Sequence, residues 1–209
     1  MRPNVLQELR SLAPGRPLAY GEALELAERQ AALLLELTRT SHPAVPERLI
    51  AEQPRIEVRR MTPFPTSGAS HWHNGKWRIA LNAAEPLTRQ RFSLGHEYKH
   101  VIDHLDASVL YREFPVRERA MLIERICDHF AGCLLMPRPW IESAYARGMR
   151  HPLDLAQVFG VSQSAISVRL SQLGLTRPTP RCATGANPWP GAATWQSSRR
   201  PLHRMMVKN

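Results

Sequence analysis

Arg91-Phe92-Ser93-Leu94-Gly95-His96-Glu97-Tyr98-Lys99-His100-Val101-Ile102-Asp103-His104 holds two histidines four residues apart, with a glutamate directly after the first. No proline or glycine pair interrupts the run from Arg89 to about Leu105, so it reads as a helix opened by Glu85-Pro86-Leu87. On a helix, positions i and i+4 lie on one face, one turn apart. Both imidazoles can then reach a single ion at roughly 2.0–2.1 Å. Glu97 projects beside them, where a general base for an activated water belongs. Phe92, Leu94, Val101 and Ile102 supply the apolar side that buries such a helix.

A catalytic zinc takes three protein ligands and keeps a position open for water. His104 is four residues beyond His100, but it lies eight beyond His96, roughly 12 Å along a helix. It is therefore read as a helix-end histidine rather than the third ligand. No glycine and histidine follow at the spacing that a metzincin needs. Glu124 is the better third ligand. It lies on a second helix, expected over Glu118 to Met136 and closed by Pro137 and Pro139, with Asp128 one turn later. Leu122, Ile123, Ile126, Cys127, Phe130, Ala131 and Leu134 make that helix apolar nearly all round. A carboxylate on a buried helix needs a cation. Asp128 is placed to accept the other ring N–H of a ligand histidine. Cys127 and Cys133 read as small core residues. His71, His73, His129 and Tyr111 remain weak candidates.

Outward from these helices, Tyr20 to Thr40 reads as a helix, since Ala23, Leu24, Ala27, Ala31, Leu34 and Leu35 recur at helical spacing. Ile56-Glu57-Val58 alternates like a strand. Ser70-His71-Trp72-His73 and Lys76-Trp77-Arg78-Ile79-Ala80-Leu81 flank Asn74-Gly75, a strong hairpin signal because both turn residues tolerate positive φ. Asp154 to Leu175 reads as two short helices around Gly160-Val161-Ser162. The expected fold class is α+β: helices with a small antiparallel sheet, followed by a helix-turn-helix-like region. The expected units are 1–150, 151–176 and a basic tail over 177–209.

These residues resemble the ImmA/IrrE family of metallo-endopeptidases. The stretch from Arg91 to His104 is similar to that family's active-site helix. Glu124-Arg125-Ile126-Cys127-Asp128-His129-Phe130-Ala131-Gly132-Cys133-Leu134-Leu135-Met136-Pro137 is similar to its second motif. Trp77 to Asn82 and Leu155 to Leu175 fit as well, so the resemblance covers about residues 20–176. It implies a zincin-like domain in which His96, His100 and Glu124 hold Zn2+, Glu97 is the general base and Asp128 steadies a ligand. It also implies a protein substrate: studied members cut helix-turn-helix transcriptional repressors and so relieve repression. Cys127 departs from the family's usual alanine, and Ile126 stands where a polar residue is frequent.

The chain has 209 residues and a net charge of +10, unevenly spread. From His151 onward seven Lys/Arg face one acid, and the last 33 residues hold six bases and no acid. Such a Pro-, Gly-, Ser- and Arg-rich tail reads as a solvated extension, with weak contact to nucleic acid as the sharper alternative. Ala156, Gly160 and Ile166 suit a helix-turn-helix, yet Asp154 to Thr176 carries one acid and one base. Phosphate contact wants several cations, so a packing or protein-docking role is favoured there. A DNA-binding regulator, or an antitoxin-like partner with a non-catalytic zinc domain, is the competing function; an intact Glu97 counts against it. Three cysteines without a CxxC pair, no apolar run near 18 residues and no apolar leader point to the cytoplasm, with no membrane partner.

Overall fold

In a computed structural model that describes residues 4–176, twelve elements follow one another. They are α1 (Val5–Ser11), α2 (Tyr20–Leu37), α3 (Arg48–Ala51), β1 (Ile56–Met61), β2 (Gly68–His73), β3 (Lys76–Asn82), α4 (Leu87–Asp103), α5 (Ala107–Leu110), α6 (Arg119–Leu135), α7 (Arg138–Ala146), α8 (Pro152–Phe159) and α9 (Gln163–Gln172). The basic tail expected over 177–209 lies outside the described residues. Helices with one small sheet bear out the α+β expectation.

The hairpin forms where Asn74-Gly75 placed it. Both turn residues have positive φ, 48° and 75°, and Trp72 pairs with Trp77 across the strands. That is the geometry of a two-residue turn whose twist matches the strands. The sheet itself corrects an expectation: it is mixed, in the order β1-β3-β2, with β1 running parallel to β3. The chain passes from β1 to the far edge and returns through the hairpin into the centre. The short alternation Ile56-Glu57-Val58 in β1 does not encode the direction of the neighbour. Helix α2 also stops at Leu37, short of the expected Thr40. The Thr38 hydroxyl donates to Leu34 O at 2.7 Å, and Arg39 takes φ 52°.

The core is one cluster that runs from Leu9 and Leu34 through Ile79, Leu94 and Phe130 to Phe159 and Leu170. The pair α8–α9 therefore shares its apolar side with the rest of the chain. Its turn is built on Gly160, at φ 61°, where a Cβ would lie 2.0 Å from Nη1 of Arg91. Arg91 donates from α4 to Gly160 O and, at 2.6 Å, to Val45 O. Ser162 caps α9 by accepting from Ala165 N at 3.2 Å. Arg169, the base of this segment, is turned inward at 2% exposure and donates to Met136 O. Arg169 is the one Lys/Arg within α9, so the outer side of that helix carries no cation of its own.

Two features set the position of α4. Gly95 packs on Ala131 of α6, where an added Cβ would come within 3.3 Å of Ala131 Cβ, so the two helices approach closely. One turn further along the same face, Lys99 is fully buried. Its ammonium donates to Asp103 Oδ1 at 2.6 Å and to Gln30 Oε1 at 2.7 Å, while the Tyr111 hydroxyl donates to the other Asp103 oxygen. Gln30 in turn donates to Leu9 O at 3.1 Å. Breaking such a buried pair costs about 3–5 kcal/mol, because one charge is left uncompensated. The network fixes the rotation of α4, so that His96, Glu97 and His100 face β2 and α6.

Candidate metal centre

Helices α4 and α6 bring His96, His100, Glu124 and Asp128 together. The Nε2 atoms of His96 and His100 lie 3.2 Å apart. Glu124 spans them, with Oε2 at 3.4 Å from His96 and Oε1 at 3.3 Å from His100. Behind His96, its Nδ1 lies 2.7 Å from Asp128 Oδ1. A carboxylate there holds the proton on Nδ1 and leaves the Nε2 lone pair facing Glu124 and His100. Two imidazole nitrogens and a carboxylate converging at these distances repel one another unless a cation or a proton lies between them.

The electrostatics agree. Burial alone would lower the pKa of His96, which is 4% exposed. Hydrogen bonds to Asp128 and Glu124 outweigh burial and push it up to about 9. Burial would raise Glu124, yet His100 and His96 hold it well below the ordinary carboxylate range. A positive charge is therefore favoured at this point, and these residues fit a divalent metal.

Sulfur is also within reach: ligand atoms of His96, His100 and Cys127 lie within 4.8 Å of one another. Cys127, however, faces the opposite nitrogen of His100, with Sγ 3.6 Å from Nδ1. Burial pushes its thiol well above the ordinary value, which disfavours the thiolate that ligates. The carboxylate, which faces both Nε2 atoms, is the better third donor.

Glu97 is held from the sheet. The Ser70 hydroxyl donates to Glu97 Oε2 at 2.9 Å, and Gly68 lies so close that a Cβ there would be 2.9 Å from Glu97 Cγ. Neither Ser70 nor Gly68 was among the sequence candidates; the hairpin's alternation carried the only signal. With Ser70 toward α4, His71 and His73 belong to the opposite face of β2. Their rings meet edge to face, with centroids 6.4 Å apart. His104 meets Trp77 edge to face, with ring centroids 4.7 Å apart, and Tyr111 is absorbed by the Lys99–Asp103 network. His129 faces away from this centre and contacts Cys133.

The family model of the IrrE N-terminal-like domain, Peptidase M78, matches residues 51–171. No curated protein sequence matches. Among solved structures, a Mycobacterium tuberculosis transcriptional regulator shares the fold with a TM-score of 0.53 at 18% identity. The match covers 86% of this chain and 54% of the regulator, so the chain spans about half the length of that protein. No helix among the described residues is long and apolar enough to cross a membrane. With two converging histidines on α4, acids facing them from α6 and a family match over more than half its length, this chain belongs to the IrrE N-terminal-like family of metallopeptidase type.

Proposed function

We propose that this chain is a zinc-dependent endopeptidase that hydrolyses a peptide bond in a protein, with a helix-turn-helix transcriptional repressor as the substrate class. The observation that carries this reading is the convergence of His96, His100 and Glu124 beside a Glu97 that the sheet holds in place. His96, His100 and Glu124 would hold the ion. Bound there, zinc would polarise the scissile carbonyl and acidify a water.

Each remaining task falls to a named side chain. Asp128 keeps the proton of His96 on Nδ1 and thereby its Nε2 lone pair toward the ion. Glu97 takes a proton from the attacking water and passes it to the leaving amine. Ser70 occupies one Glu97 oxygen and leaves the other for that exchange. Strand β2 is an edge of the sheet, and an extended substrate segment can add to it through main-chain hydrogen bonds. The units over 1–150, 151–176 and 177–209 are taken as catalytic domain, docking region and dispensable tail, and the site of action as the cytoplasm.

The test is incubation of the purified chain with a repressor encoded beside it, with and without a chelator. Discrete cleavage that chelation stops and added zinc restores is the expected result. Cleavage that survives exhaustive chelation contradicts the metal-dependent reading.

A further inference from the structure

A second set of metal-binding side chains sits on the opposite side of α6. Cys133 follows Glu124 by nine residues, which places it about half a turn around the helix axis, toward α2. Glu28 of α2 and His129 and Cys133 of α6 each offer one donor atom, and these atoms lie within 4.8 Å of one another. His129 Nε2 is 3.4 Å from Cys133 Sγ. The arrangement repeats that of the first centre: two donors one turn apart on one helix, and a glutamate from the helix packed against it.

Next to these donors lies a buried cation, Arg169. The side chain of Arg169 is 3% exposed. Its Nε donates to Met136 O at 3.1 Å, while its Nη2 has no oxygen acceptor and the guanidinium lies against Cys133. Glu28 Oε1, at 3.9 Å, is too far to accept. A buried N–H without an acceptor costs about 1–3 kcal/mol or more when charged. An ionised Cys133 thiolate would supply the missing negative charge.

We propose that Glu28, His129 and Cys133 form a second binding site for a divalent zinc-type cation, with Arg169 as the counter-charge to the bound thiolate. Thiolate, imidazole and carboxylate together are the donor set of a borderline-soft ion. On binding, the Cys133 S–H bond breaks, the metal–sulfur bond forms and the proton passes to solvent. Glu28, Cys133 and Arg169 line a groove of about 380 Å³ that Thr40, Ser41 and Trp140 also border. Three protein ligands leave a fourth position, and the groove is where it opens. This site is independent of the peptidase reading, because none of its residues belongs to the first centre.

Cobalt(II) is the probe, added to the metal-free full-length chain in a Cys182→Ser background. The near-ultraviolet absorption of a thiolate bound to cobalt is expected, with loss of that absorption in Cys133→Ser. Glu28→Gln, a surface change that spares the fold, should weaken the cobalt affinity at least about tenfold, since one ligand of three is removed. Cys127→Ser should leave the absorption in place. No thiolate absorption in the parent chain overturns the proposal. So does an absorption that survives Cys133→Ser and disappears in Cys127→Ser, which would put the sulfur ligand at the first centre. An unchanged affinity in Glu28→Gln also contradicts it.

Discussion

Asp128→Asn probes how the first centre is tuned. The His96 Nδ1–Asp128 hydrogen bond is 2.7 Å long, and His96 is almost fully buried. Asparagine keeps the shape and can still accept through its amide oxygen, but the acceptor is neutral. A charge-assisted hydrogen bond contributes about 1.5–3 kcal/mol and a neutral one about 0.5–1.5. The difference of about 1–1.5 kcal/mol corresponds to roughly 5–13-fold in metal affinity, near the lower end of the usual range for such partners. The same hydrogen bond also raises the proton affinity of His96, whose pKa stands at about 9 without metal. Below that value, proton and zinc compete for the same Nε2 lone pair, and the substitution weakens both. The loss of zinc affinity is therefore largest above pH of about 9 and shrinks toward neutrality. Competition with a chromophoric chelator at several pH values measures it. An equal loss at every pH, or none above 9, would refute the assignment of Asp128 to the back of His96.

Gly68→Ala pushes a methyl group against Glu97 Cγ, 2.9 Å away. Turnover should fall about tenfold or more, since displacements of this order misplace a reacting group; zinc content should not change, and a fall in both would mean general misfolding. For the metal-free chain, the two shifts define a pH window. The raised pKa of His96 gives stability that is complete below about 6.5 and is lost as pH rises through about 9. The lowered pKa of Glu124 gives stability present above about 4.5 and lost as pH falls through its depressed value. The melting temperature of the chelated protein should therefore decline between about 6.5 and 9; a rise across that interval, followed by calorimetry, would contradict the sign.

The sequence was informative where spacing alone carries geometry. His96 and His100 one turn apart, Glu124 and Asp128 one turn apart, and Asn74-Gly75 between alternating runs each specify a local arrangement, and each appears. What stayed hidden depends on partners distant in the chain. The parallel pairing of β1 with β3 is decided by where the chain returns, not by Ile56-Glu57-Val58. Lys99 sits among the motif residues like any helix-surface lysine, and its burial rests on Asp103 one turn on together with Gln30, 69 positions earlier. Ser70 and Gly68 gain their relation to Glu97 by sheet-to-helix packing. Cys133 and His129 read as core and stray residues until α2 brings Glu28 beside them.

The central claim is that Glu97 moves the proton in peptide hydrolysis, and Glu97→Gln tests it most directly. Glutamine keeps the size of the side chain and can still accept from Ser70, yet it cannot take a proton. Zinc content should match the parent, because Glu97 is not one of the three donors. Cleavage of a repressor substrate, measured with purified proteins at matched zinc content, is expected to fall by about 10²–10⁴-fold. Cleavage at the parent rate by the zinc-loaded variant would contradict the account.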